Sequence, residues 1–519
     1  MTQVKEFIRK YYFAAGMALL LALAVFLRLY KLALIPMGRH VDEAALGYNA
    51  WCLAHYGVDR YLHEMPIYPQ NYYGGQSPLY TYLAVLLLKI PGVPFSDLTI
   101  RIPGFLFSML IVIFGAATIN EVFKNRNCTL AATAILAISP YFILQGRYAF
   151  DCNLMLGCSV MALYSLIKYL SDKKLWRLVV CGAAFAFVLY SYALAYFTIA
   201  FFLIYAALYL LFVREITVPR TVVWAVSVCI FALPILLFVA SLLLQLEPFK
   251  FLGFTIEQTA TQRMSDIDPG PNSLPSIWHT IYMSLLSDGF VTSTCPRYGN
   301  MYYTSVPFVV IGFVIACVQT VQSIRKRKLH VSALFLFFFL AVLTTAALVY
   351  TDHAINRANA VFAAEFYFLM LAFYEIVSRM KHCGKAFAGV AAAAYAIWFA
   401  AFARYYFVVY PIEHFPLAYF RGSAADAIEY ARKNLDYSTI YVDYSGYPEF
   451  NLMDYPISPY EWNDRVAYDE FNCVVELPEI DEDAVYIIEV RSEHLKKELY
   501  EAGFFCREFP STYCLFTRE

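Results

Sequence analysis

The chain has 519 residues, 61% of them hydrophobic and only 15% charged, with a formal net charge of −1. A soluble protein of this length would need far more charge on its surface, so the composition describes a chain that crosses a membrane many times. The near-neutral balance excludes the broad basic field of a nucleic-acid binder.

In chain order, apolar runs of spanning length lie near 12–33, 102–122, 128–146, 152–170, 177–193, 196–213, 221–245, 301–321, 331–350, 356–377 and 386–409, eleven in all. The charge-free stretch 178–213 is long enough for two tight spans with a turn near YSYALAY. PLYTYLAVLLLKI, 78–90, is too short to cross and is expected along the interface or as a half-helix dipping in. The first run is preceded by basic residues but followed by no small-residue cleavage site, which argues against a removable leader. Lys5, Arg9 and Lys10, then Lys124 and Arg126, Lys173, Lys174 and Arg177, Arg214 and Arg220, RKRK at 325–328, and Arg379, Lys381 and Lys385 all fall on one side of an eleven-span count. The positive-inside rule makes that side cytoplasmic, with the N-terminus. The opposite face receives the loop 34–101, the loops after 146 and 350, the loop 246–300, and the chain from about 411 onward.

From 411 the composition turns polar and acidic. AADAIEYARKN has helical spacing, STIYVDY and DAVYIIEV read as strands, and SEHLKKELYEAGF reads as a helix ending at Gly503. Cys506 and Cys514 flank a hairpin that could carry a disulfide outside the cytoplasm. The other cysteines are scattered, with no Cys-x-x-Cys pair, so no metal or redox motif emerges from the 12. The expected architecture is therefore an all-α polytopic membrane part, residues 1–410, followed by a small extracytoplasmic α/β domain, residues 411–519.

Three loops on the outer side carry ionisable residues hugging a span. Asp42 and Glu43 sit side by side just after the first run. RYAFDCN supplies Arg147 and Asp151, and TDHAINRAN supplies Asp352, His353 and Arg357. Each has a bland reading: Asp151 as a helix cap, Arg147 as an interface anchor, His353 and Arg357 as ordinary loop residues. Together they form the set that a group-transfer enzyme outside the cytoplasm requires. ATP and nucleotide sugars are cytoplasmic, so the activated donor has to cross with a lipid, as a polyprenyl-phosphate sugar. The phosphate leaving group then needs a cation, and the acceptor hydroxyl a general base. Glu365 lies inside an apolar run and reads as a packing acid or a site residue, with packing favoured.

The order of these motifs resembles the GT-C class of membrane glycosyltransferases, in particular the protein O-mannosyltransferases (glycosyltransferase family 39) and aminoarabinose transferases. The likeness rests on HVDEAALGYNAW, QSPLYTYL, RIPGFLFSML, SPYFILQGRYAFDCN and HAINRAN, and it runs through about residue 409. It implies a GT-C fold and transfer of a sugar from a polyprenyl-phosphate donor to an acceptor hydroxyl of a protein, lipid or glycan. Asp42 is implied as base or metal ligand. Asp151 either holds Asp42 in place or shares a divalent cation, Mg or Mn, with it. Glu43, Gln76, Tyr80, Arg147, His353 and Arg357 are implied as substrate-binding, Glu43 chiefly by orienting its loop. Many relatives have Lys-Pro-Pro or His-Pro-Pro where this chain has Gln76-Ser77-Pro78, so a cation is missing there. The reaction expected is a single inverting displacement at the outer face of a cell membrane. A transporter or flippase of lipid-linked sugars is the competing class, and a non-catalytic GT-C scaffold a third.

Overall fold

The structure is a computed structural model that describes residues 2–71, 74–257, 273–287, 295, 297–349, 355–380, 383–413, 420–421, 424–443, 449–464, 472–474, 476–477, 479–509 and 513–518. Its helices follow in order: α1 (Thr2–Leu29), α2 (Val41–Tyr56), α3 (Pro78–Leu88), α4 (Asp97–Phe123), α5 (Arg126–Ile138), α6 (Pro140–Leu144), α7 (Asn153–Asp172) and α8 (Leu175–Leu189). They continue as α9 (Ala195–Phe212), α10 (Val218–Phe231), α11 (Leu233–Leu244), α12 (Ser273–Leu286), α13 (Val306–Lys326), α14 (Val331–Leu348), α15 (Val361–Arg379) and α16 (Gly384–Arg404).

Among the described residues, eight helical segments are long and apolar enough to cross a bilayer; they lie in α1, α4, α7, α9, α13, α14, α15 and α16. All eleven expected runs are helical, but not all are single spans. The run 221–245 is broken into α10 and α11, which meet at 77°. Pro234 sits at the start of α11, where its ring and missing N–H stop a helix from running through. The run 128–146 breaks the same way, because Ser139-Pro140 ends α5 and opens α6. The chain turns at 190–194 between α8 and α9, and Pro78–Leu88 forms the short helix expected of it.

Two ends of the bundle can be told apart by what ties them. At one end Lys124 and Lys168 share Glu121, Lys173 pairs with Glu215, and the Tyr209 hydroxyl bonds Ser323. These contacts gather the basic loops after α4, α7, α9 and α13. At the other end lie α2, α3 and the turn before α7.

The C-terminal residues build a five-stranded sheet. From one edge the strands are Phe505–Glu508, Tyr513–Thr517, Val485–Glu489, Ile440–Asp443 and Asn472–Val474. The last three run parallel and the first three antiparallel. Strand alternation sends Val485 and Ile487 against the helix Ala425–Asn434, and Tyr486 and Ile488 against the helix Glu493–Glu501, so both faces are covered. Cys506 and Cys514 lie on the neighbouring hairpin strands as free thiols.

Candidate active site

The site begins with how α2 is started. The His40 ring nitrogen Nδ1 accepts the Asp42 N–H (3.1 Å), and the Glu43 carboxylate accepts the His40 N–H (3.0 Å). This reciprocal arrangement is a capping box. It fixes two adjacent acids in opposite directions. The Asp42 side chain is 57% exposed, with its carboxylate 3.6 Å from the His40 ring. The Glu43 side chain is buried and receives Arg101 Nε (3.0 Å) and Nη2 (3.1 Å) together with the Ala149 N–H (2.7 Å). Burial alone would push the Glu43 carboxyl up; the Arg101 guanidinium and two backbone N–H groups outweigh it and hold the group below the usual range. Glu43 is thus a fixed anion inside the protein, joining the loop after α1 to α4 and to the turn before α7.

Arg101 and Arg147 carry the strand of chain that leads up to Asp42. Arg101 donates to the carbonyls of Leu32, Pro36 and Gly38. Arg147 donates to those of Leu27, Arg28, Tyr30 and Ile35 at 2.8–2.9 Å. Backbone carbonyls that leave a helix without partners are costly near hydrocarbon, and two arginines satisfy seven of them here. Arg147 is fully buried and lies over the rings of Tyr406 and Phe407. The substrate-binding place implied for Arg147 is therefore not where the fold puts it: its Nη1 and Nη2 groups are engaged by carbonyls.

The second and fourth motifs meet at α3. Consecutive residues there touch both acids: Gln76 Nε2 reaches the Asp42 carbonyl (3.4 Å), and the Ser77 N–H donates to Asp151 Oδ2 (3.0 Å). Asp151 Oδ1 accepts the N–H of Cys152 (2.7 Å). Gln76 is itself held by Asn49, at 3.3 Å. Tyr80 is fully buried; its hydroxyl donates to the Ile100 carbonyl and accepts the Gly104 N–H, pinning α3 to α4 rather than lining an open cleft. A Cβ on Gly146 would collide with Ser108 of α4, so the turn before α7 reaches this position only with glycine there.

The fifth motif closes the group. Asn359 Nδ2 donates to the Cys152 carbonyl (2.7 Å), which ties the turn before α15 to the turn that bears Asp151. Arg357 is half-buried in a short 3₁₀ turn, Ile355–Ala358. Cys152 reports how the charges converge. Burial pushes its thiol well up, the anions Asp151 and Asp42 push it the same way, and the Arg357 cation pulls it back. Asp352 and His353 lie outside the described residues.

Of the sequence-derived set, Asp42, Gln76, Asp151 and Arg357 come together, and Glu43, Tyr80 and Arg147 form the buried support behind them. For a divalent cation the donor set is thin. The described residues offer the Asp42 and Asp151 carboxylates, no third His, Cys, Asp or Glu to make a cluster, and each Asp151 oxygen already accepts a backbone N–H.

Residues not singled out from sequence are Arg39 and Asn359. Arg39 donates to Asp97 and makes two bonds of 2.7–2.8 Å to Asp454, and its short strand pairs with Phe420–Arg421. Tyr48, Leu452 and Ile457 form a small core between α2 and the C-terminal region, and the Tyr48 hydroxyl donates to the Ile457 carbonyl.

A family profile described as dolichyl-phosphate-mannose-protein mannosyltransferase matches residues 75–240, which spans α3, the Asp151 turn and α11 up to Ala240. Among solved structures, ArnT from Cupriavidus metallidurans in the apo state aligns at TM-score 0.58 and 11% identity, over 98% of both chains. The chain has the GT-C glycosyltransferase fold. ArnT bound to undecaprenyl phosphate aligns at TM-score 0.55 and 11% identity, over 98% of this chain and 97% of that one. The Archaeoglobus fulgidus oligosaccharyltransferase in complex with Zn and sulfate aligns at 0.54 and 12%, over 97% of this chain and 73% of that one. No match is found among curated protein sequences. Fold and profile point the same way: the fold is that of GT-C glycosyltransferases, and the mannosyltransferase profile covers the third of the chain that carries α3 and Asp151.

Proposed function

We propose that this glycosyltransferase takes its sugar from a polyprenyl-phosphate donor and passes it to an acceptor hydroxyl at the outer face of the membrane, by one inverting displacement. The observation that carries the reading is the arrangement just before α3: Gln76 reaches the backbone carbonyl of Asp42, whose carboxylate is exposed, the next residue, Ser77, tethers the Asp151 carboxylate, and the Arg357 cation acts on the same thiol as both acids. Asp42 takes the proton from the acceptor hydroxyl as that oxygen attacks the anomeric carbon from the face opposite the phosphate. The bond to the phosphate oxygen breaks with its electron pair, and Arg357 stabilises the departing phosphate anion. Asp151 holds α3 and its own turn at the distance that keeps Asp42 facing the acceptor. Among the described residues the carboxylate set does not complete a cation site. The basic loops gathered at the opposite end of the bundle support an orientation with those loops and the N-terminus in the cytoplasm. The region 411–519 then lies outside, docked on α2 beside Asp42, where an acceptor is presented.

The test uses purified protein in detergent with short-chain polyprenyl-phosphate sugars and a panel of hydroxyl acceptors. Release of the polyprenyl phosphate is followed by mass spectrometry, and the anomeric configuration of the product by NMR. Release by wild type, its loss in Asp42→Asn, and an inverted product are expected. Equal release by Asp42→Asn would remove Asp42 as the base, and a retained configuration would remove the single displacement.

A further inference from the structure

A second feature lies on the flank of the bundle. A cavity of about 540 Å³ opens between α4, α7, α8 and α10. Its floor is Ala183 and Ala184, and Phe114, Met161, Phe187 and Phe231 wall it, so its length is suited to hydrocarbon. Its charged residues are at one end. Lys168, near the end of α7, and Trp176 and Arg177, at the start of α8, stand at the basic rim of the bundle. The other end stops at Tyr190, so the groove follows α8 for about 21 Å at 1.5 Å per residue. That exceeds the roughly 15 Å of hydrocarbon in one leaflet, half of a core of about 30 Å.

The rim is short of anions. Segments 121–126, 168–177 and 214–220 hold eight Lys and Arg against three Asp and Glu. Glu121 is shared by Lys124 (2.7 Å) and Lys168 (3.0 Å) and Asp172 pairs with Arg177 Nε (2.8 Å), so these groups keep one positive charge in excess at the mouth. Trp176 is 59% exposed and packs against the Arg177 guanidinium, 5.1 Å from its ring, as an aromatic anchor at the level of lipid headgroups does. An apolar slot with cations at only one end distinguishes head from tail of its occupant.

We infer that this groove binds one anionic phospholipid from the leaflet at the basic rim, with an acyl chain along Ala183 and Ala184 and the phosphate between Lys168 and Arg177. The polyprenyl-phosphate donor is disfavoured as occupant, because its phosphate has to reach Asp42 and Asp151 at the opposite end of the bundle. A neutral phospholipid leaves the rim charge unmatched.

Native mass spectrometry of the full chain in a mild detergent tests this, with equimolar dioleoylphosphatidylglycerol, dioleoylphosphatidylcholine and a polyprenyl phosphate added. Wild type is expected to retain one phosphatidylglycerol in preference to phosphatidylcholine by about fivefold, as one excess cation near a headgroup would give. Lys168→Gln with Arg177→Gln should bring the two phospholipids level. Ala183→Trp, which fills the floor, should abolish retention while the protein stays monodisperse; if it does not fold, Ala183→Leu takes its place. Equal retention of both phospholipids by wild type, or unchanged retention in the filled variant, overturns the inference. Polyprenyl phosphate retained by wild type and lost on filling overturns it too, and moves the donor tail into this groove.

Discussion

Asp42 and Glu43 are neighbours in sequence, yet one side chain is 57% exposed and the other 4%. The contrast extends to the regions around them. The rim holds Asp42, whose carboxylate is exposed, Arg357, which is half-buried, and Asp151, whose two oxygens each accept a backbone N–H. The layer beneath holds Glu43, Arg28, Arg101 and Arg147, whose groups are consumed within the protein. Arg28, for example, is fully buried and donates to Ser108, Ala24, Leu136, Ala137 and Phe142. Charge next to a span therefore has two uses: reacting at the surface, and holding irregular backbone where water cannot.

Substitutions separate the two uses. The largest expected effect is Asp42→Asn, which should slow donor turnover by about 10²–10⁴-fold, the range for a general base, and leave the unfolding temperature in detergent unchanged. A parallel loss of thermal stability would move Asp42 into the supporting layer. Next comes Glu43→Ala. It leaves Arg101 buried without its anion, a defect of about 3–5 kcal/mol, and should appear as lost folded yield before any kinetic change. If Glu43→Ala folds normally and only kcat falls, the division between rim and support fails. Arg39→Ala should cost about 1–3 kcal/mol through its bonds to Asp454, read as faster hydrogen exchange in residues 449–464 and near 39–43 together. Exchange that speeds up in one segment alone would show the two to be uncoupled.

The smallest effect concerns pH. The Asp59 carboxylate, bonded to His63 Nδ1 at 3.0 Å, raises the His63 pKa above 6.5 against a burial effect that lowers it, and Glu257 adds to the rise. A raised folded value means that the protonated pair stabilises fully below about pH 6.5 and fades as pH rises through the folded value. The difference in unfolding temperature between wild type and His63→Gln should therefore shrink from pH 6 to pH 9. A constant difference would mean that the bond acts without the proton.

The helical class, the eleven helical places and four of the five sheet strands were readable because hydrophobic run length and period are local properties; the edge strand Asn472–Val474 was not read. YIIE alternates between two covered faces, and the structure covers both. The breaks at Pro140 and Pro234 were local signals too, outweighed in the reading by the apolar length around them. The site was readable in part. Asp42 and Asp151 stand out because acids beside spans are costly. The role of Arg147 was not readable, since whether a guanidinium meets a phosphate or four carbonyls depends on chain that lies 112–120 residues away. Arg39 was invisible for the same reason: its partner Asp454 is 415 residues distant.

The strand contact between Arg39–His40 and Phe420–Arg421 has a bearing on how such chains can be recombined. His40 caps the helix that carries Asp42, and a Cβ on Gly47 of that helix would displace the end of the Met453 side chain that lies against it. The C-terminal region is therefore not an interchangeable module. A graft that brings in a foreign tail has to carry its own residues 39–47, or it will reshape the loop that bears Asp42.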